Sequence, residues 1–61
     1  MRIYNKFHNK FLKTFHFNEN GYALEYSSFE EESMYIDVFT AHLLVTILNL
    51  YGEDAHVIYG E

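Results

Sequence analysis

The stretch Ala41–Tyr51, AHLLVTILNLY, carries no charged side chain and is closed by Gly52. On a helical wheel Leu50, Leu43, Ile47, Tyr51, Leu44, Leu48, Ala41 and Val45 sweep an apolar arc of about 220°, leaving a narrow stripe of His42, Thr46 and Asn49. A helix lying on one side of a small sheet needs about 100° of apolar surface. The surplus predicts a second use for the helix: one flank closes a sheet and the other meets a second copy, with Leu44, Ile47, Leu48 and Tyr51 as the expected dimer interface.

Working outward toward the C-terminus, Gly52 reads as the residue that ends the helix, with Glu53 and Asp54 in the turn after it. Ala55–Tyr59, AHVIY, is β-branched and aromatic and reads as a strand, followed by a frayed end at Gly60–Glu61. On the N-terminal side, Ser28 with Glu31 has capping-box spacing, and Ser33 and Thr40 are further candidate caps. Extending the helix phase backward brings Asp37 and Thr40 into the apolar arc. The helix is therefore expected from about Ser33, with a break near Thr40 or a strand over Met34–Phe39 as the other readings.

Phe15–Phe17 and Tyr22–Tyr26 flank Asn18-Glu19-Asn20-Gly21, a hairpin signal, because Asn-Gly supplies the two positive φ angles of a type I′ turn. With Asn20 and Gly21 at the turn, Phe17 is expected opposite Leu24, Phe15 opposite Tyr26 and His16 opposite Glu25. In residues 2–15, Ile3, Tyr4, Phe7, Phe11, Thr14 and Phe15 fall within about 120° of a helical wheel, opposite Arg2, Asn5, Lys6, Asn9, Lys10 and Lys13. Read as a strand, the same residues mix Phe with Asn on one face and Lys with Leu on the other. An amphipathic helix is the better match, although Asn, Phe and His are poor helix formers.

These elements predict a single α+β domain over residues 1–61: an antiparallel three-stranded sheet, made of the hairpin and the C-terminal strand, packed by the N-terminal helix and the apolar helix. A chain of 61 residues buries only about 60% of its unfolded surface and needs a staple. Without Cys, disulfides and thiolate zinc sites are excluded, which points to a homodimer. No secretory pattern opens the chain and the apolar run is too short to cross a bilayer, so a cytoplasmic protein is expected.

Charge is divided along the chain. Arg2, Lys6, Lys10 and Lys13 are the only basic side chains, and all nine acids follow them, giving a net charge of −5. Phosphate neutralisation needs clustered cations, so direct nucleic-acid binding is not expected. Nor is membrane binding, since anionic lipid repels the acidic remainder. A protein partner with a basic surface is expected instead, met by Glu30, Glu31, Glu32, Asp37, Glu53 and Asp54. His8, His16, His42 and His56 fall in separate elements without i,i+4 spacing, and no nucleophile elbow or Gly-rich phosphate loop is present. The sequence therefore predicts no metal, no cofactor and no catalytic residue.

In its size, acidity and order of hairpin, helix and strand, the chain resembles the small acidic proteins with which bacteriophages block host enzymes, including inhibitors of uracil-DNA glycosylase that imitate DNA. No residue motif accompanies this likeness, so it brings no binding residues with it. It implies an inhibitor or modulator of a nucleic-acid-related or defence enzyme. The alternative is an assembly subunit that associates through its apolar helix and uses its acids for solubility alone.

Overall fold

The computed structural model describes residues 1–59. Among them, four strands, β1 (Arg2–Asn5), β2 (Lys10–Asn18), β3 (Gly21–Ser27) and β4 (Ala55–Ile58), form one antiparallel sheet in the order β3-β2-β1-β4. One α-helix, α1 (Val38–Leu50), connects β3 to β4 after a single 3₁₀ turn at Glu30–Glu32. The α+β class is as expected; the sheet has four strands where three were anticipated. The frayed end expected at Gly60–Glu61 lies outside the described residues.

The extra strand arises because residues 2–15 form no helix. They fold back on themselves as β1, a turn at residues 6–9 and the first part of β2, with Tyr4 paired to Phe11 and Asn5 to Lys10. Asn9 takes the left-handed conformation, φ 54°, that reverses the chain, and Asn tolerates that region better than most residues. Two phase breaks hide the strands from a periodicity test. The turn is one, and a β-bulge is the other: Leu12 pairs with Tyr26 and Thr14 with Glu25, leaving Lys13 unopposed. An extra residue flips the side-chain alternation, so Leu12 lies on the same face as Phe15 and Phe17. With the flip included, Lys13 points away from the core and the strand becomes properly amphipathic.

The β2–β3 hairpin forms at the Asn-Gly signal, but its two-residue turn lies one position earlier than expected, so each residue's partner is shifted by two. Phe17 pairs with Tyr22, Phe15 with Leu24 and His16 with Ala23, which leaves Glu19 and Asn20 as the turn. Gly21, at φ 128°, is the position that needs glycine, while Asn20 is not in the positive-φ region a type I′ turn demands. The Asn18 side chain accepts from the Asn20 N–H at 2.8 Å and sets the turn locally. Because the shift is two residues, every side chain keeps its expected face.

The ladder between β1 and β2 covers only its first two pairs. Beyond them the Leu12 carbonyl accepts from Met34 N–H at 3.1 Å, and Ile36 N–H donates to the Met1 carbonyl at 2.8 Å. Residues 34–37 are thus extended chain bonded into the sheet's gap, neither helix nor regular strand. The helix begins at Val38, not near Ser33, and its cap is Asp37. The Asp37 carboxylate accepts from the Thr40 N–H at 3.0 Å and from the Thr40 hydroxyl at 2.6 Å. The two polar residues that disturbed the helix phase are therefore the capping pair. The Ser28–Glu31 box does not form; Ser27 donates to Glu32 at 2.6 Å instead.

The inner sheet face and α1 enclose the core. Ile3, Leu12, Leu44, Leu48 and Ala55 are buried together, with Phe15, Leu24, Tyr26, Met34, Ile36 and Val45 packed around them. On α1 the inward residues are Ala41, Leu44 and Leu48, spaced three and four apart as one helix stripe requires. Full burial of a leucine such as Leu48 contributes about 1.5–3 kcal/mol.

Candidate functional site

Among the described residues, the sheet covers one stripe of α1 and no segment covers the opposite one. Phe39 is 85% exposed, Leu43 62% and Leu50 81%, and no residue of α1 carries a formal charge. Burying any of these side chains would release free energy, so their joint exposure marks a surface suited to contact. Between this crest and the sheet runs a shallow apolar groove lined by Phe15, Phe17, Thr40, Leu43, Leu44 and Ile47. The apolar surface continues onto the hairpin through tilted ring contacts: the Phe17 ring centre lies 6.1 Å from that of Tyr22, and the Tyr22 centre 4.7 Å from that of Tyr51 at the end of the helix. Helix crest and hairpin tip thus form one surface.

Of the four residues expected at a dimer interface, Leu44 and Leu48 are instead in the core of the single chain, 3% and 0% exposed. The wheel could not say which flank the sheet would take, and the sheet took theirs. Ile47 is half-buried on the groove wall, and Tyr51 is exposed beside Tyr22. The outward seam comprises Phe39, Leu43, Thr46 and Leu50.

The polar stripe of α1 is used within the chain. The Asn49 side chain donates to the Ala55 carbonyl at 3.1 Å and accepts from the Ala55 N–H at 2.8 Å, taking the place of a neighbouring strand at the start of β4. His42 Nε2 is 3.0 Å from the Tyr59 hydroxyl, and Thr46 donates its hydroxyl proton to the His42 carbonyl at 2.9 Å.

The six acids expected to face a partner fall into two groups at opposite ends of α1. Glu30, Glu31, Glu32 and Asp37 precede it, and Glu53 and Asp54 follow it. Several have internal work. Glu32 accepts from Ser27, Asp54 Oδ1 is 2.7 Å from His56 Nε2, and Asp37 caps the helix. The Thr40 hydroxyl and N–H hold the Asp37 carboxyl below its usual pKa, because both bonds favour the ionised form.

Glu53 belongs to a polar cluster that no sequence pattern pointed to. Asn5, completely buried, donates to the Tyr26 hydroxyl at 2.8 Å and to Glu53 Oε1 at 2.7 Å, while its carbonyl oxygen accepts from the N–H groups of Phe7 and His8. Tyr26 donates in turn to Glu53 at 3.1 Å, and His8 Nε2 lies 3.9 Å from the same carboxylate. Burial raises the Tyr26 pKa; the Asn5 bond opposes that and the Glu53 charge adds to it. The cluster ties β1, β3, the first turn and the segment after α1 together. Asn5 was unreadable in advance because its helical wheel position put it among the solvated polar residues.

Arg2 is likewise engaged, donating from Nη1 to the carbonyls of Glu30 and Ser33 at 2.8 and 2.7 Å and lying 5.4 Å from the centre of the Tyr35 ring. Among the described residues no three His, Asp or Glu side chains group so as to hold a metal ion, and no helix is long and apolar enough to cross a membrane. The chain matches no protein-family model, and no curated protein or solved structure matches it, so its function has to be argued from its own residues.

Proposed function

We propose that this chain is a non-catalytic protein-interaction module that assembles through the apolar crest of α1 and the adjoining hairpin tip. The observation behind this reading is the exposure of Phe39, Leu43 and Leu50 on a helix without a formal charge. The role is that of an assembly or regulatory subunit, with the acidic surface keeping an aromatic-rich protein soluble.

The acid-led reading, an inhibitor docking its carboxylates on a basic enzyme surface, has less support. Its six acids lie in two groups separated by the helix, and Asp37, Glu53 and Asp54 are engaged in contacts of their own. A mimic of DNA requires carboxylates lined along one face.

One comparison separates the two. Leu43→Glu places a charge on the crest without touching the core, whereas Glu30, Glu31 and Glu32 together changed to Gln remove the densest acidic run. Capture from the native cell with each protein as bait should lose its partners in the first variant and keep them in the second, at unchanged circular dichroism. Loss in the Gln variant with retention in Leu43→Glu would select the acidic docking surface instead.

A further inference from the structure

We infer that the partner on this crest is a second copy of the same chain, joined through an antiparallel pair of α1 helices about a two-fold axis. The inference rests on the crest being the working surface, and it adds the occupant. Phe39, Leu43, Thr46 and Leu50 follow one another at intervals of four, three and four, the a/d spacing with which one helix seats side chains into another. The seam is therefore shaped for a helix. The interval pattern also reads the same in both directions. Laid antiparallel on itself, the seam puts Phe39 of one copy against Leu50 of the other and Leu43 against Thr46, with no position left over. An isologous two-fold contact requires this self-complementarity.

The surface chemistry agrees. Homodimer contacts are more apolar than transient ones and lack charge at their centre, as this seam does. A standard interface removes about 800 Å² from each partner, roughly a fifth of this chain's 4214 Å². A helix of 13 residues is only about 20 Å long, so the contact has to extend onto Phe17, Tyr22 and Tyr51. These residues adjoin the seam, and the groove beside Phe17 is open to take a side chain from the second copy.

Antiparallel pairing also brings Asp37 of one copy toward Glu53 and Asp54 of the other. Like charges at both ends oppose association, and salt screens them. Self-association should therefore hold or tighten as salt is raised, the opposite of an acidic surface docking on a basic partner.

The test is the molar mass in solution of the purified full chain, by sedimentation equilibrium at low and high salt, beside Leu43→Glu and Thr46→Arg. Two substitutions are used so that one variant failing to fold does not remove the result; circular dichroism identifies the folded ones. The wild type should weigh two chains, and each folded variant should raise the dissociation constant more than about 30-fold. Since the chain has no Cys, the orientation is read by disulfide formation in a mixture of Phe39→Cys and Leu50→Cys proteins. Mixed 39–50 bridges should dominate, and an excess of 39–39 bridges would overturn the antiparallel arrangement. A monomeric wild type whose captured partners still depend on Leu43 would overturn the second copy and leave the interaction module standing. A monomer with no Leu43-dependent partner would overturn both.

Discussion

The two flanks of α1 are nearly alike in composition and opposite in fate. Ala41, Leu44 and Leu48 face the sheet and are buried, while Phe39, Leu43 and Leu50 face away and are among the most exposed apolar residues described. Hydrophobicity alone does not rank them; the outward flank is the bulkier of the two. What separates them is the partner each flank finds. The inward flank has the small Ala41, which lets the helix approach β1 and β4, and leucines that meet Ile3, Leu12 and Ala55. Among the described residues no segment covers the outward flank, and the segment expected to form a second helix went into the sheet.

This contrast can be broken or sharpened by substitution, beginning where the effect is largest. Leu48→Ala leaves a cavity in the core and should cost about 2–5 kcal/mol in urea unfolding. For a domain this small, that is enough to leave much of it unfolded at room temperature. An effect no larger than that of an exposed leucine would mean that the flanks had been assigned the wrong way round.

Asn5→Leu removes the centre of the buried polar cluster and strands the Phe7 N–H, so a loss of about 1–3 kcal/mol is expected, measured the same way. Tyr26, which accepts from Asn5 in this cluster, is read by a separate variant. In wild type the raised pKa means that this phenol should ionise above the ordinary tyrosine value of about 10, and a Tyr26→Phe protein should lack that late component of the tyrosine absorbance titration. Because the folded pKa lies above the unfolded one, the corresponding stability is present below about pH 10 and is lost as pH rises through the folded value.

At the N-terminus of α1, Asp37→Asn should lower the thermal midpoint at neutral pH, and the gap to wild type should close on acidification. The sign follows from the lowered pKa: the carboxylate's contribution is present above the ordinary aspartate value of about 3.9 and is lost as pH falls through the folded one. A gap independent of pH would mean that the charge is irrelevant to the cap. Least affected of all should be the stability of the isolated chain in Leu43→Ala, within about 0.5 kcal/mol of wild type. If that small stability change accompanies a large loss of association, the outward flank is a surface; if neither moves, it is only exposed.

Much of the molecule was open to reading from the sequence. The uncharged run and Gly52 set the helix and its end, Asn20-Gly21 set the hairpin, and the AHVIY run set the last strand. These are local signals, in which side-chain pattern and turn chemistry act within a few residues. The first 15 residues do not display their strands, because a turn and a one-residue bulge each break the alternation of a strand, and the broken pattern imitates a helical one. The bulge exists to bring Leu12, Phe15 and Phe17 onto one face, and that need is visible only with β3 and α1 in place.

The candidate site divides in the same way. The sequence by itself determined that α1 has a wider apolar arc than one face of a small sheet covers, because the order of its residues on the wheel is fixed by it. Only the tertiary structure decided which flank remained. The sheet could be met by either, and the choice followed from the combined packing of Ile3, Leu12 and Ala55 against Ala41, Leu44 and Leu48. No single segment contains that information, since it resides in the fit between residues far apart in the chain.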